Sequence, residues 1–230
     1  MKEEEIVSYK SHGFVRLDAH MADDLSVVNS ARVSFAKHST ELDPAGVGLI
    51  NFLMRERHGT PFEHNSFRFV VSCPLFVARE WFRHRIGSFN EFSARYSEVQ
   101  NDFFVPELDD IRTQVGKPGS YSFEQIQAYP DGVKAHNIIE ENNASAYYAY
   151  KELLEMGVAK ELARSVLPVS MYTQFYWTVN ARAIMNFLSL RNAENAQLEI
   201  RRYAQDVEAI FASTMPVTHA SWLDNGRQAP

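Results

Sequence analysis

Residues 169–180, VSMYTQFYWTVN, set Val169, Met171, Phe175, Trp177 and Val179 against Ser170, Tyr172, Gln174, Tyr176, Thr178 and Asn180. Successive side chains of an extended chain point to opposite faces, so this stretch predicts a strand with one face on a core. The other face is polar and aromatic, which suits a wet sheet surface or the floor of a ligand site. The segment runs directly into ARAIMNFLSLR, Ala181–Arg191, whose apolar residues recur at helical spacing. Two further strands are predicted. One is GFVRLDAHM; in the other, NSFRFVVSC, Phe67, Phe69 and Val71 alternate with Ser66, Arg68 and Val70.

Helices are expected where caps precede apolar periodicity. Asp23 or Asp24 opens ADDLSVVNSARVSF, and Asp43 followed by Pro44 opens DPAGVGLINFLMRERH. Pro74 opens PLFVAREWFRH, which as one helix would place Glu80, Arg83 and His84 on a single face. HNIIEENNASAYYAYKELLEMG ends at Gly157 as a helix cap would, VAKELARSVL forms a short helix, and NAQLEIRRYAQDVEAIFAS closes the pattern. Between them, 106–133 is rich in Pro, Gly, Ser and Asp and reads as a surface excursion, either a lid or a plain insertion. Strands separated by runs of helix, without β-α-β alternation, predict an α+β fold: a largely antiparallel sheet flanked by helices. With 230 residues, 45% of them hydrophobic, a single domain over 1–230 is expected.

Several function classes are disfavoured. A formal net charge of -6 argues against a protein that coats nucleic acid. The acidic opening MKEEEIVSYK is unlike a secretory signal, and no apolar run approaches a membrane span, so a cytoplasmic protein with no membrane partner is expected. Glycine-rich phosphate loops are missing, and with one cysteine, Cys73, and no C-x-x-C or H-E-x-x-H, no metal site is expected.

Positive charge is instead local. RHRIGSFNEFSARYS, Arg83–Ser97, gathers Arg83, Arg85 and Arg95 with His84, Ser88, Asn90 and Ser93. Planar guanidinium forks suit phosphate oxygens, and the neutral groups can bond a heterocycle. The alternative is a solvated loop whose arginines pair with Glu91, Glu98 and Asp102.

The same stretch matches the signature R-H-R-x-x-S-x-N-E-x-S-x-R through Arg83, His84, Arg85, Ser88, Asn90, Glu91, Ser93 and Arg95, and so resembles the flavin-dependent thymidylate synthases. HGTPFEH (His58–His64), ARSVLP (Ala163–Pro168) and WTVNARAIMNFLSLR (Trp177–Arg191) resemble other segments of that family in the same order, from roughly Gly13 to Ile210. The resemblance implies reductive methylation of dUMP to dTMP. It implies 5,10-methylenetetrahydrofolate as carbon donor, FAD reduced by NADPH, release of tetrahydrofolate, and a homotetramer with sites at subunit junctions.

It implies FAD contacts at His58, Thr60, Arg83, His84, Arg85, Glu91, Asn180, Ala181, Arg182 and Asn186. It implies dUMP contacts at Glu80, Trp81, Phe82, Arg83, Glu91, Phe92, Ser93, Ala94, Arg95, Arg164 and Arg191. Arg191 would face the uracil ring as the catalytic cation, its alternative being a helix-end cap. Glu80 departs from the family, where glutamine is frequent, and its role stays open. Cys73, at the end of an apolar strand, reads as an inert buried thiol rather than a nucleophile. Ser93 reads as a hydrogen-bonding group. The rivals are a flavin and folate enzyme acting on uridine in RNA, which would need a basic groove, and an RNA-binding module without flavin.

Overall fold

The computed structural model describes residues 7–8, 13–117, 120–126 and 129–230; most of the acidic opening and residues 118–119 and 127–128 lie outside this set. The strands are β1 (Val7–Ser8), β2 (Phe14–Met21), β3 (Ser66–Pro74), β4 (Ser88–Glu91), β5 (Arg112–Lys117), β6 (Ser120–Gln125) and β7 (Tyr172–Val179). The helices are α1 (Asp24–Arg32), α2 (Pro44–Arg55), α3 (Leu75–Trp81), α4 (Tyr129–Glu155), α5 (Lys160–Ala163), α6 (Ala181–Arg191), α7 (Leu198–Thr214) and α8 (Pro216–Asp224). None of these helices is long and apolar enough to cross a membrane. The main sheet has the order β1-β2-β3-β7-β4, with antiparallel pairing of β1 to β2, β2 to β3 and β4 to β7. This is the α+β class expected, and packing groups the chain into two compact units.

The first unit comprises residues up to Ser72 with Arg79–Glu91 and Gln174–Pro230. Three of its helices, α1, α2 and α6, start at side-chain caps. Asp23 accepts the Ser26 N–H at 2.6 Å, Asp43 the Gly46 N–H at 2.6 Å and Asn180 the Ala183 N–H at 2.9 Å, each satisfying an amide left free in a first turn. Burial in β7 alternates as its sequence demands, whereas β3, flanked by β2 and β7, is buried on both faces from Phe69 onward. Trp81 stands at the centre of the core, with ring centroids 4.7 Å from Phe187, 5.3 Å from Trp177 and 5.6 Å from Phe175. Offset and edge-on aromatic pairs of this kind each add roughly 0.5–1.5 kcal/mol to the burial itself. Gly87 is required where the chain passes this cluster, since a Cβ there would lie 2.9 Å from Trp177 Nε1 and 3.1 Å from the Thr178 carbonyl.

The second unit comprises Cys73–Ala78 and Phe92–Thr173. Ala94, Val99, Tyr150, Ala163 and Met171 form its core, and the Tyr150 hydroxyl accepts the Val99 N–H at 3.1 Å. Helix α4 begins earlier than its apolar pattern and ends two residues before Gly157, which adopts φ +84°. Within the stretch read as a surface excursion, β5 and β6 form a largely exposed hairpin held by cross-strand pairs from Arg112 with Gln125 to Lys117 with Ser120.

Three more features depart from the sequence reading. Helix α3 stops at Trp81, and Arg83 and His84 lie in the turn that follows, donating to the carbonyls of Glu80 and Trp81. The signature residues Ser88–Glu91 form strand β4, and α8, with Pro216 in its first turn, extends the fold beyond the last helix expected.

Glu208 of α7 ties the helices of the first unit together. Its carboxylate accepts from Arg227, from Asn192 at 2.6 Å and, at 3.1 Å, pairs with His219. Burial would raise this carboxyl, but the hydrogen bonds from Arg227, His219 and Asn192 outweigh it and hold the group below its ordinary value. Because the folded value is depressed, the stabilisation is present above the unfolded carboxylate range and lost as pH falls through the folded one. Glu208→Gln is expected to lower stability by roughly 2–3 kcal/mol at neutral pH and to weaken the dependence on acid. Urea denaturation at pH 7 and pH 4 measures both.

Candidate active site

The end of α3 and the end of α6 meet at three polar side chains of the first unit. Arg191 Nη1 donates to Glu80 Oε2 at 2.9 Å, Nη2 to the Glu80 carbonyl at 3.4 Å, and Nε to His84 Nε2 at 3.0 Å. Arg191 is the last residue of α6, yet its side chain leaves its own helix, where the Asn192 N–H donates to the Leu188 carbonyl. The helix-end reading of this arginine therefore does not describe the structure. Burial and the adjacent Arg191 push the His84 imidazole down to about 4, so the ring is neutral near pH 7. Accepting at Nε2, neutral His84 carries its proton on Nδ1. Burial raises the Glu80 carboxyl, Arg191 lowers it and Glu199 raises it again; the net displacement is upward.

A second feature of this unit is a cleft of about 710 Å³ lined by His58, Gly59, Thr60, Arg32, Arg57, Phe52 and neighbours. His58 meets the Phe52 ring edge-on at 5.7 Å. Arg182 lies against Gly59, where a Cβ would approach its Nε to 2.5 Å, and is held by Glu63 at 2.6 Å and by the Pro230 carbonyl at 2.6 Å. Asn180 caps α6 while lining a smaller pocket of about 210 Å³ with Gly87 and Thr178. Ala181 is buried and donates its N–H to Asn65, so its side chain is packed inside, whereas Asn186 is exposed on α6. Arg83, Arg85 and Glu91 are exposed, Phe82 packs on Phe89 and Phe175, and Trp81 is wholly core.

The remaining predicted residues belong to the second unit. Arg95 pairs with Glu161 at 3.3 Å, and Arg164 Nε donates to the Glu161 carbonyl at 3.4 Å. Both arginines therefore gather on one acidic residue that the sequence reading did not single out. Of the partners it did name, Glu98 pairs with Lys151 at 3.4 Å. The Ser93 carbonyl accepts from Tyr96 and Ser97, its hydroxyl accepts weakly from Arg95 N–H at 3.4 Å, Ala94 is core, and Phe92 is exposed. Arg32, Arg57 and His64 of the cleft were also missed; Arg57 and His64 stand within and beside HGTPFEH, so adjacency to that segment was the available signal.

Comparison with known proteins decides the family. The sequence profile described as "Thymidylate synthase complementing protein" matches residues 16–217. A flavin-dependent thymidylate synthase of Thermosipho africanus is 48% identical over 215 residues, covering 92% of this chain and 91% of that protein. The chain belongs to the flavin-dependent thymidylate synthase family. A member from Tropheryma whipplei is 44% identical over 227 residues, covering 94% of both chains. Among solved structures, a UMP/dUMP methylase, PolB from Streptomyces cacaoi, bound with 5-Br dUMP, superposes with a TM-score of 0.88 at 42% identity, covering 97% of this chain and 100% of that one. FAD is the cofactor of this family, and the cleft fits a ligand of that kind. Its volume lies within the range of about 300–1,000 Å³ typical of ligand sites. Its donor set also fits, with Arg32 and Arg57 for pyrophosphate oxygens and Phe52 and His58 for an aromatic ring.

Cys73, the sole cysteine, is fully buried in β3. Cys73→Ala is accordingly expected to keep turnover within about threefold of the parent, since a buried thiol acts as a small hydrophobe. Trapping of a covalent adduct between Cys73 and the nucleotide, sought by mass spectrometry, would contradict this.

Proposed function

We propose that this chain is an FAD-dependent thymidylate synthase that methylates dUMP at carbon 5 to give dTMP. The carbon comes from 5,10-methylenetetrahydrofolate, and NADPH provides two electrons, so that tetrahydrofolate and NADP leave with dTMP. The observation that carries this reading is the placement of Arg191: a permanent cation held off its own helix beside a neutral histidine. Bound in the cleft, FAD supplies the reducing equivalents. Its contacts are assigned to His58, Thr60 and Arg182, with Arg83, His84, Arg85, Glu91, Asn180 and Asn186 carried over by position. For Ala181, the buried side chain restricts any contact to the backbone.

Carbon 5 of the pyrimidine is a weak nucleophile until electron density enters the ring. Arg191 stabilises the ring in its N3-deprotonated form, so carbon 5 bonds to the methylene carbon as one of that carbon's two bonds to folate nitrogen breaks. The carbon 5 proton leaves to base, and the two electrons that originate in NADPH convert the methylene to a methyl as the second carbon–nitrogen bond breaks and tetrahydrofolate leaves. Neutral His84 adds no second cation next to Arg191 and keeps an Nδ1–H donor. Arg95 and Arg164 are assigned to the phosphate, because planar forks suit its oxygens. Ser93 is assigned a hydrogen bond to the nucleotide. The exposure of Met21 at 72%, Phe35 at 76% and Ile86 at 72% supports assembly into the homotetramer that the family resemblance implies.

Purified protein is expected to be yellow, or to take up added FAD, and to bleach with NADPH in the absence of air. Colourless protein that ignores excess FAD would sink the proposal. Arg191→Ala should cost about 3–4 kcal/mol of transition-state stabilisation, two to three orders of magnitude in turnover, with FAD still bound. Arg191→Lys should also be poor, because a point charge does not reproduce the planar fork. Single-turnover formation of dTMP measures both.

A further inference from the structure

Glu80, whose role the sequence left open, spends its acceptors on another side chain. Its carboxylate and its carbonyl hold the two terminal nitrogens of Arg191, while His84 holds the third. A guanidinium has five N–H donors. Three of Arg191's are engaged, and the other two, one on each terminal nitrogen, meet no acceptor among the described residues. We propose that Glu80 is a positioning residue: with His84 it fixes the plane of the Arg191 guanidinium so that the two remaining N–H groups are presented to the carbonyl oxygens of the pyrimidine ring. This rests on the reading of Arg191 as the cation at that ring.

The alternative, a direct contact of Glu80 with the nucleotide, sets a carboxylate against an anionic ligand. Holding Arg191 removes that conflict, and the carboxylate remains because it is compensated. The pair is only partly exposed, with side-chain accessibilities of 23% for Arg191 and 27% for Glu80, so each loses more by standing unpaired than a surface ion would. A long arginine side chain otherwise samples many rotamers, and three anchors in one plane reduce them to one. Glutamine at this position would keep one oxygen acceptor for Nη1, so the positioning function needs the oxygen and does not need the charge.

The charged and titratable groups that face Glu80 are Arg191 and His84 at bonding distance, and Glu199 of α7. Burial and Glu199 raise the Glu80 carboxyl against the pull of Arg191. Protonation at low pH removes the charge but leaves a carboxyl oxygen to accept from Nη1, so Glu80 should contribute no acid limb to activity.

Glu80→Ala and Glu80→Gln test the assignment in the FAD-loaded enzyme. Release of Arg191 misplaces a reacting group, so Glu80→Ala is expected to lower kcat by up to about 100-fold with KM for dUMP changed by no more than about threefold. Glu80→Gln is expected to restore kcat to within about threefold and to keep the parent's pH profile on the acid side, since its amide oxygen accepts the same bond. A crystal structure of Glu80→Ala should show Arg191 Nε withdrawn from His84. Parental kcat in Glu80→Ala, a rise in KM alone, or an unmoved Arg191 would each overturn the inference. Should the parent enzyme itself form no dTMP, the reading of Arg191 at the ring fails; the position of Arg191 in the Glu80→Ala crystal structure still decides whether Glu80 holds it.

Discussion

Burial of Trp81 is the constraint on which the first unit depends. The indole ends α3 inside a cluster made by Phe175 and Trp177 of β7 and Phe187 of α6. With the ring fixed there, Glu80 before it and His84 after it emerge beside the end of α6, where Arg191 stands. The polar geometry is thus a consequence of apolar packing: large aromatic residues, worth about 3–5 kcal/mol each on truncation, determine where small electrostatic differences are felt. Gly87 completes the constraint by letting the chain pass close to Trp177 on its way into β4.

The arginines assigned to anionic ligands are not naked cations. Arg191 is held by Glu80, Arg182 by Glu63 and Arg95 by Glu161. In an acidic chain these three arginines have internal counterions, which keep their forks oriented before a ligand arrives. Arginine suits the arrangement because one fork serves an internal carboxylate and an external oxygen together. The strength of these pairs differs with exposure. Arg95 and Glu161, with side chains 51% and 60% exposed, are screened by solvent, while the Glu80 pair is half withdrawn from it.

Much of the fold was legible because its signals are local. The start of α6 follows from Asn180 as a cap, and both ends of Ala181–Arg191 fall where the apolar period begins and stops. Strand β7 shows its alternation plainly. Strand β4 could not be read, since Ser88–Glu91 carries no apolar alternation and exists by pairing with β7, a long-range event. Hairpin β5–β6 was hidden for a related reason: its exposed faces impose no hydrophobic pattern. The residue types of the site were legible, but its pairings were not. Glu161 stands far from Arg95 in sequence, and Glu80 and His84 looked like one helical face until the structure ended α3 at Trp81.

The three tryptophans of the chain, Trp81, Trp177 and Trp222, are all buried and all in the first unit. Ultraviolet emission excited at the red edge therefore issues from that unit alone, and two of its emitters lie 5.3 Å apart, close enough to exchange excitation. The second unit, with Tyr147 and Tyr150 tilted against each other at 6.1 Å, is silent at that wavelength but contributes fully to far-ultraviolet dichroism through α4. The chain thus carries a built-in optical partition. Melting followed by emission tracks one unit, melting followed by dichroism tracks both, and the gap between the two curves measures how far the units lose structure independently.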